Sequence, residues 1–96
     1  MWTRKYDGKR IGDIDASIVT DHMMLAAASL GLDTLWICMF KPEAVREEFG
    51  LPDTVEPVNI LLIGYGADAP ASPDRHATLR KPLEETVFYE RFGQKR

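Results

Sequence analysis

Apolar positions recur at helical spacing from Ile14 to Leu30, then break into two short extended runs separated by a second helical pattern. In the first segment, Ile14, Ile18 and Leu25 form one stripe, while Val19, Met23, Ala26 and Leu30 cover the opposite side. A helix apolar on one side can lie on a surface, whereas one apolar on both sides has to be sandwiched. The cover is either the domain's own core or a second copy of the chain. Asp13 or Asp15 is expected to cap the start, and Gly31 suits the left-handed residue that ends a helix. Thr34–Met39 reads as a short strand. Pro42–Phe49 reads as a short helix with proline in its first turn, ended by Gly50-Leu51-Pro52-Asp53. Val58–Tyr65 is a near-continuous apolar run between Pro57 and Gly66, the pattern of a strand buried on both faces. Gly66–Lys81 shows no periodicity, and so long a structureless stretch usually binds or wraps something. Pro82–Glu90 fits a helical turn or a strand equally well. Met1–Gly12 is polar, with a turn signal at Asp7-Gly8, and reads as a segment cut from something longer.

Composition narrows the picture. Ninety-six residues with 45% apolar content are expected to make one small domain over 1–96, with 66–82 an extended loop within it. A net charge of -3 gives no electrostatic reason to expect nucleic acid or an anionic membrane as partner. The single cysteine, Cys38, leaves no internal disulfide and fits a reducing, cytoplasmic setting. Arg4, Lys5 and Arg10 are not followed by the apolar run of about 7 to 15 residues that a signal peptide needs. No run of about 18 apolar residues is present to span a bilayer.

Few residues offer chemistry. Arg80-Lys81 before Pro82 is either a solvated basic pair or a phosphate clamp, with Arg making a forked contact and Lys a point charge. Trp36, Ile37, Cys38 and Met39 read as packing from their side chains, yet their backbone lies in a tight connector between two helices. Cys38 has no histidine near it in sequence and reads as a buried structural thiol rather than a nucleophile. His22 fits a satisfied core or interface position, and His76 a solvated one beside Asp74 and Arg75. Glu43, Glu47 and Glu48 make a solvated helix face. No metal-ligand spacing exists, and Gly64-Tyr65-Gly66 is too short for a phosphate-cradling loop.

Taken in order, Gly31-Leu32-Asp33-Thr34-Leu35-Trp36, Phe40-Lys41-Pro42-Glu43-Ala44-Val45, Gly50-Leu51-Pro52, Gly64-Tyr65 and Arg80-Lys81-Pro82-Leu83-Glu84-Glu85 resemble the C-terminal half of the FMN-dependent nitroreductases. The resemblance covers roughly Trp2 to Glu90. It implies an α+β, nitroreductase-like fold with a long buried helix, a short strand, a short helix, a buried central strand and an extended C-terminal tail. It implies FMN as cofactor, NAD(P)H as co-substrate, and a nitroaromatic, quinone or similar acceptor. In that family a basic residue before this Pro-Leu-Glu-Glu reaches the FMN phosphate, which carries over first to Arg80 and then to Lys81. Main-chain groups of the turn after the tryptophan meet the flavin's reactive edge, which carries over to Ile37, Cys38 and Met39 beside Trp36. No side chain is nominated as acid, base or nucleophile. The chain departs from the pattern at Asp33, where many relatives carry glycine, and at Met39, where others carry a small residue. Nothing in Met1–Gly12 matches the family's N-terminal Arg-x-Ser-x-Arg segment. The expected assembly is therefore a homodimer, or a partner chain supplying the missing half. The alternative is an inactive piece or subunit that acts only through association.

Overall fold

A computed structural model describes all of residues 1–96. The longest element is α1, Gly12–Ser29, followed by β1, Asp33–Ile37, α2, Pro42–Phe49, and β2, Ile60–Gly64. A 3₁₀ turn, Pro73–Arg75, runs into α3, His76–Leu79, and α4 is Leu83–Thr86. This is an α+β arrangement of one long helix against a two-stranded antiparallel ribbon.

The helix ends where its sequence says it should. Gly31 sits at φ +77, its N–H reaches Ala28 O at 3.1 Å, and Leu32 N–H reaches Ala27 O at 2.9 Å. That pair of bonds satisfies carbonyls a helix terminus would leave orphaned, and an L residue at this φ would be strained. The start differs from expectation. Ile11 holds the N-cap position with no side-chain bond, and Asp13 and Asp15 lie inside the first turn. There the carboxylates favour the positive end of the helix dipole without accepting its first N–H groups. Gly50 at φ +65 closes α2, with Leu51 N–H bonded to Arg46 O at 2.9 Å.

The ribbon pairs Asp33 with Gly64, Thr34 with Ile63, Leu35 with Leu62, Trp36 with Leu61 and Ile37 with Ile60. β1 thus stops at Ile37 rather than Met39, because β2 offers no partner before Ile60. β2 begins two residues later than the apolar run suggested. It is not buried on both faces in the single chain: Leu62 and Ile63 are about half exposed. Only one edge of β2 is paired and little covers its faces. Helix α1 is likewise open, with Ile14, Ile18, Val19, Met23 and Leu25 exposed. The only buried residues are Thr20 and Ala27. Thr20 Oγ1 lies 2.8 Å from Ala16 O and 3.1 Å from Asn59 Oδ1, tying α1 to the entry of β2.

The tail departs from the structureless expectation. Ser72 Oγ accepts from Asp74 N–H at 3.2 Å with Pro73 in the first turn, which starts the short helical stretch 73–79. Pro82–Glu90 resolves in favour of a helical turn, α4. At the other end, Thr3 and Arg10 form an antiparallel bridge around the Asp7-Gly8 turn. Arg4 Nε donates to Asp7 Oδ1 at 2.7 Å there. The radius of gyration is 18.3 Å, against about 13 Å for a compact domain of this length. No helix is long and apolar enough to cross a membrane.

Candidate functional site

The connector from β1 to α2 is built by two constraints a few residues apart. The ladder's last rung is Ile37–Ile60, and Pro42 fixes the first turn of α2. Between them Phe40 N–H bonds back to Cys38 O at 3.1 Å, a three-residue turn that reverses the chain sharply. The N–H groups of Cys38 and Met39 donate to no acceptor within the chain. Two successive main-chain donors therefore stand together at a surface turn.

Trp36 and Ile37 are half-buried, whereas Cys38 and Met39 are exposed, Met39 almost fully. The expectation of a buried thiol fails, because Cys38 lies just beyond the ladder's end and nothing folds over it. Trp36 Nε1 is shielded from solvent yet has no hydrogen-bond partner. The indole borders a groove of about 690 Å³ along α1, lined also by Ile14, Ile18, Asp21 and His22. His22 is exposed in the single chain, which excludes the core reading for it.

Arg80 and Lys81 are exposed, and their side chains make no ion pair or hydrogen bond. They follow α3 in the tail, and no bond links them to the 36–39 turn. The single chain thus brings Trp36, Ile37, Cys38 and Met39 together as one turn and leaves the basic pair apart. The histidines, the cysteine and the carboxylates form no metal cluster.

One polar contact near the site was not legible beforehand. Asp33 Oδ2 accepts the N–H of Gly66 at 2.7 Å, bridging the start of β1 to the second residue after the ribbon. The sequence signalled only that Asp33 departs from a familiar pattern.

The model of the nitroreductase family matches residues 2–65, well over half of the chain. A crystal structure of a nitroreductase family protein from Clostridium difficile 630 superposes with a TM-score of 0.86 at 59% identity, covering 94% of this chain and 52% of that one. A Methanothermobacter thermautotrophicus protein, described as a candidate NADH dehydrogenase/NAD(P)H nitroreductase, is 34% identical over 75 residues, 74% of this chain and 39% of that protein. A protein of the same description from Archaeoglobus fulgidus is 31% identical over 58 residues, 56% of this chain and 33% of its own length. The chain therefore spans about half the length of the solved relative and about a third to two fifths of the curated ones. On the family match and the superposition together, the chain belongs to the nitroreductase family.

Proposed function

We propose that this chain provides the flavin-edge turn of an FMN-dependent NAD(P)H oxidoreductase, and that its cleft is completed by a second copy or by further polypeptide. The observation that carries this reading is the pair of free N–H donors at Cys38 and Met39, presented by an exposed turn between a strand end and a helix start. When bound, FMN would accept a hydride from NAD(P)H and pass electrons to a nitroaromatic, a quinone or a similar acceptor. Fixed main-chain donors suit that chemistry, since they favour negative charge at the flavin's reactive edge without reorganising. The residues present fit the group in this respect, and Trp36 offers a further unpaired donor beside the turn.

Arg80 and Lys81 are assigned to the FMN phosphate, Arg80 as a forked donor and Lys81 as a point charge. They reach it once the tail is laid against other protein surface. Trp36 and Ile37 back the turn and exclude water from one side. No acid, base or nucleophile is required of this chain. A cytoplasmic setting accords with the lone, unpaired thiol.

Association belongs to both this reading and the alternative of an inactive subunit. The chain exposes 8739 Å², whereas a compact protein of its mass would expose about 5,600 Å². The excess of about 3,000 Å² on each chain, or about 6,000 Å² for a pair, lies at the upper end of what large obligate interfaces bury. Titration with FMN, followed by the flavin's visible absorbance and its bleaching by NADH, separates the two readings. Uptake and bleaching support the oxidoreductase. A colourless chain that takes up no FMN at any protein concentration leaves only the associating subunit.

A further inference from the structure

We infer that Asp33 is a positioning residue, whose carboxylate pins the root of the 66–81 tail to the junction of α1 and β1. This rests on the flavin reading above only for its functional consequence. The N–H of Gly66 reaches no main-chain acceptor. Gly31 and Leu32 spend their N–H groups closing α1 onto Ala28 and Ala27. The ladder ends at the Asp33–Gly64 pair, so Gly66 lies beyond its last rung. Asp33 accepts that N–H with its side chain, at 2.7 Å.

The glycine confirms that closeness, rather than backbone freedom, is what position 66 requires. Gly66 is absent from the residues with positive φ, so a left-handed backbone is not what calls for glycine there. A Cβ placed there would lie 3.0 Å from Asp33 Oδ2 and 3.3 Å from its Cγ, a crowded approach. One carboxylate thus joins the start of β1 to the point from which the tail departs. The tail carries Arg80 and Lys81, so the clamp sets the direction in which those cations are delivered.

The test uses the full 96-residue chain and its Asp33→Ala, Asp33→Asn and Gly66→Ala variants. Amide exchange at Gly66 should quicken about tenfold in Asp33→Ala and in Gly66→Ala at position 66, the scale of a lost charge-assisted hydrogen bond. Exchange within α1 should stay as it was. Asp33→Asn retains an acceptor oxygen and should restore most of the protection. Tryptic cleavage after Arg75 and Arg80 should quicken in the same order of variants. With FMN as probe, Asp33→Ala should raise the dissociation constant about tenfold, and much less so in an Arg80→Ala background, where the cation it delivers is gone. Unchanged exchange at position 66 in Asp33→Ala overturns the clamp. Faster exchange with unchanged FMN affinity overturns its positioning role. If the parent chain binds no FMN, the flavin reading fails, while the exchange and cleavage rates still decide the clamp.

Discussion

Replacing Leu25 by aspartate probes the self-association proposed for the open face of α1. Leu25 lies on α1 and is 62% exposed in the single chain, so its substitution leaves the chain's own packing nearly intact. Burying a whole leucine side chain is worth about 1.5–3 kcal/mol, and the still-open fraction about 1–2 kcal/mol. A symmetric pair carries the residue twice, which brings the loss to about 2–4 kcal/mol before any cost of burying a carboxylate. At about 1.4 kcal/mol per decade, Leu25→Asp should weaken self-association roughly thirty-fold to several hundred-fold. Sedimentation velocity across a dilution series reads this directly, with far-UV circular dichroism confirming that α1 persists. Tyr6→Asp in the N-terminal hairpin, where Tyr6 is 98% exposed, is the control and should leave the association constant unchanged. If Leu25→Asp assembles as the parent does, α1 is not the seam. If Tyr6→Asp disrupts assembly equally, added charge rather than lost cover is responsible.

Three smaller tests probe the local physics. Gly31→Ala should destabilise by about 1 kcal/mol through left-handed strain alone, because a Cβ there meets nothing within 4 Å; the urea midpoint at fixed protein concentration measures it, and a neutral result removes the helix-end motif. Trp36→Phe should cost no more than about 1.5 kcal/mol in the same assay, since Nε1 has no partner to lose within the chain; a larger loss means that association supplies an acceptor. The Arg4 guanidinium, and secondarily the Lys9 N–H, hold the Asp7 carboxyl below its usual range. A carboxylate depressed in this way supports the hairpin above the ordinary value of ~3.9 and loses that support as pH falls through its lower folded value. The hairpin should therefore hold from pH 7 to about 4 and open only below, as the side-chain carboxyl and Lys9 amide resonances would report.

The elements most legible in the sequence were those punctuated by residues with a single conformational use. Gly31 ends α1, Pro42 opens α2 and Gly50 closes it, each from local chemistry that needs no knowledge of the rest of the fold. The 3₁₀ turn at Pro73 carried the same kind of signal in Ser72-Pro73-Asp74, but the surrounding lack of periodicity masked it. Strand ends were less legible, because β1 stops where β2 ceases to pair, and register is a property of two segments. The exposure of Leu62, Ile63 and Cys38 followed the same logic: an apolar run marks what seeks cover, not whether the chain itself provides it. The turn at 36–39 was legible as one unit since its residues are contiguous. Its relation to Arg80 and Lys81 was not, and neither was the Asp33–Gly66 bond across 33 residues.

On the reading proposed above, the 36–39 turn becomes a flavin site only when other protein surface closes over it. Sedimentation of the chain with FMN, followed at the flavin's visible absorbance across a protein dilution series, tests this most directly. Flavin should travel with a dimer or larger assembly and be released as the assembly dissociates. Flavin carried by a stable monomer, or an assembly that carries none, would contradict it.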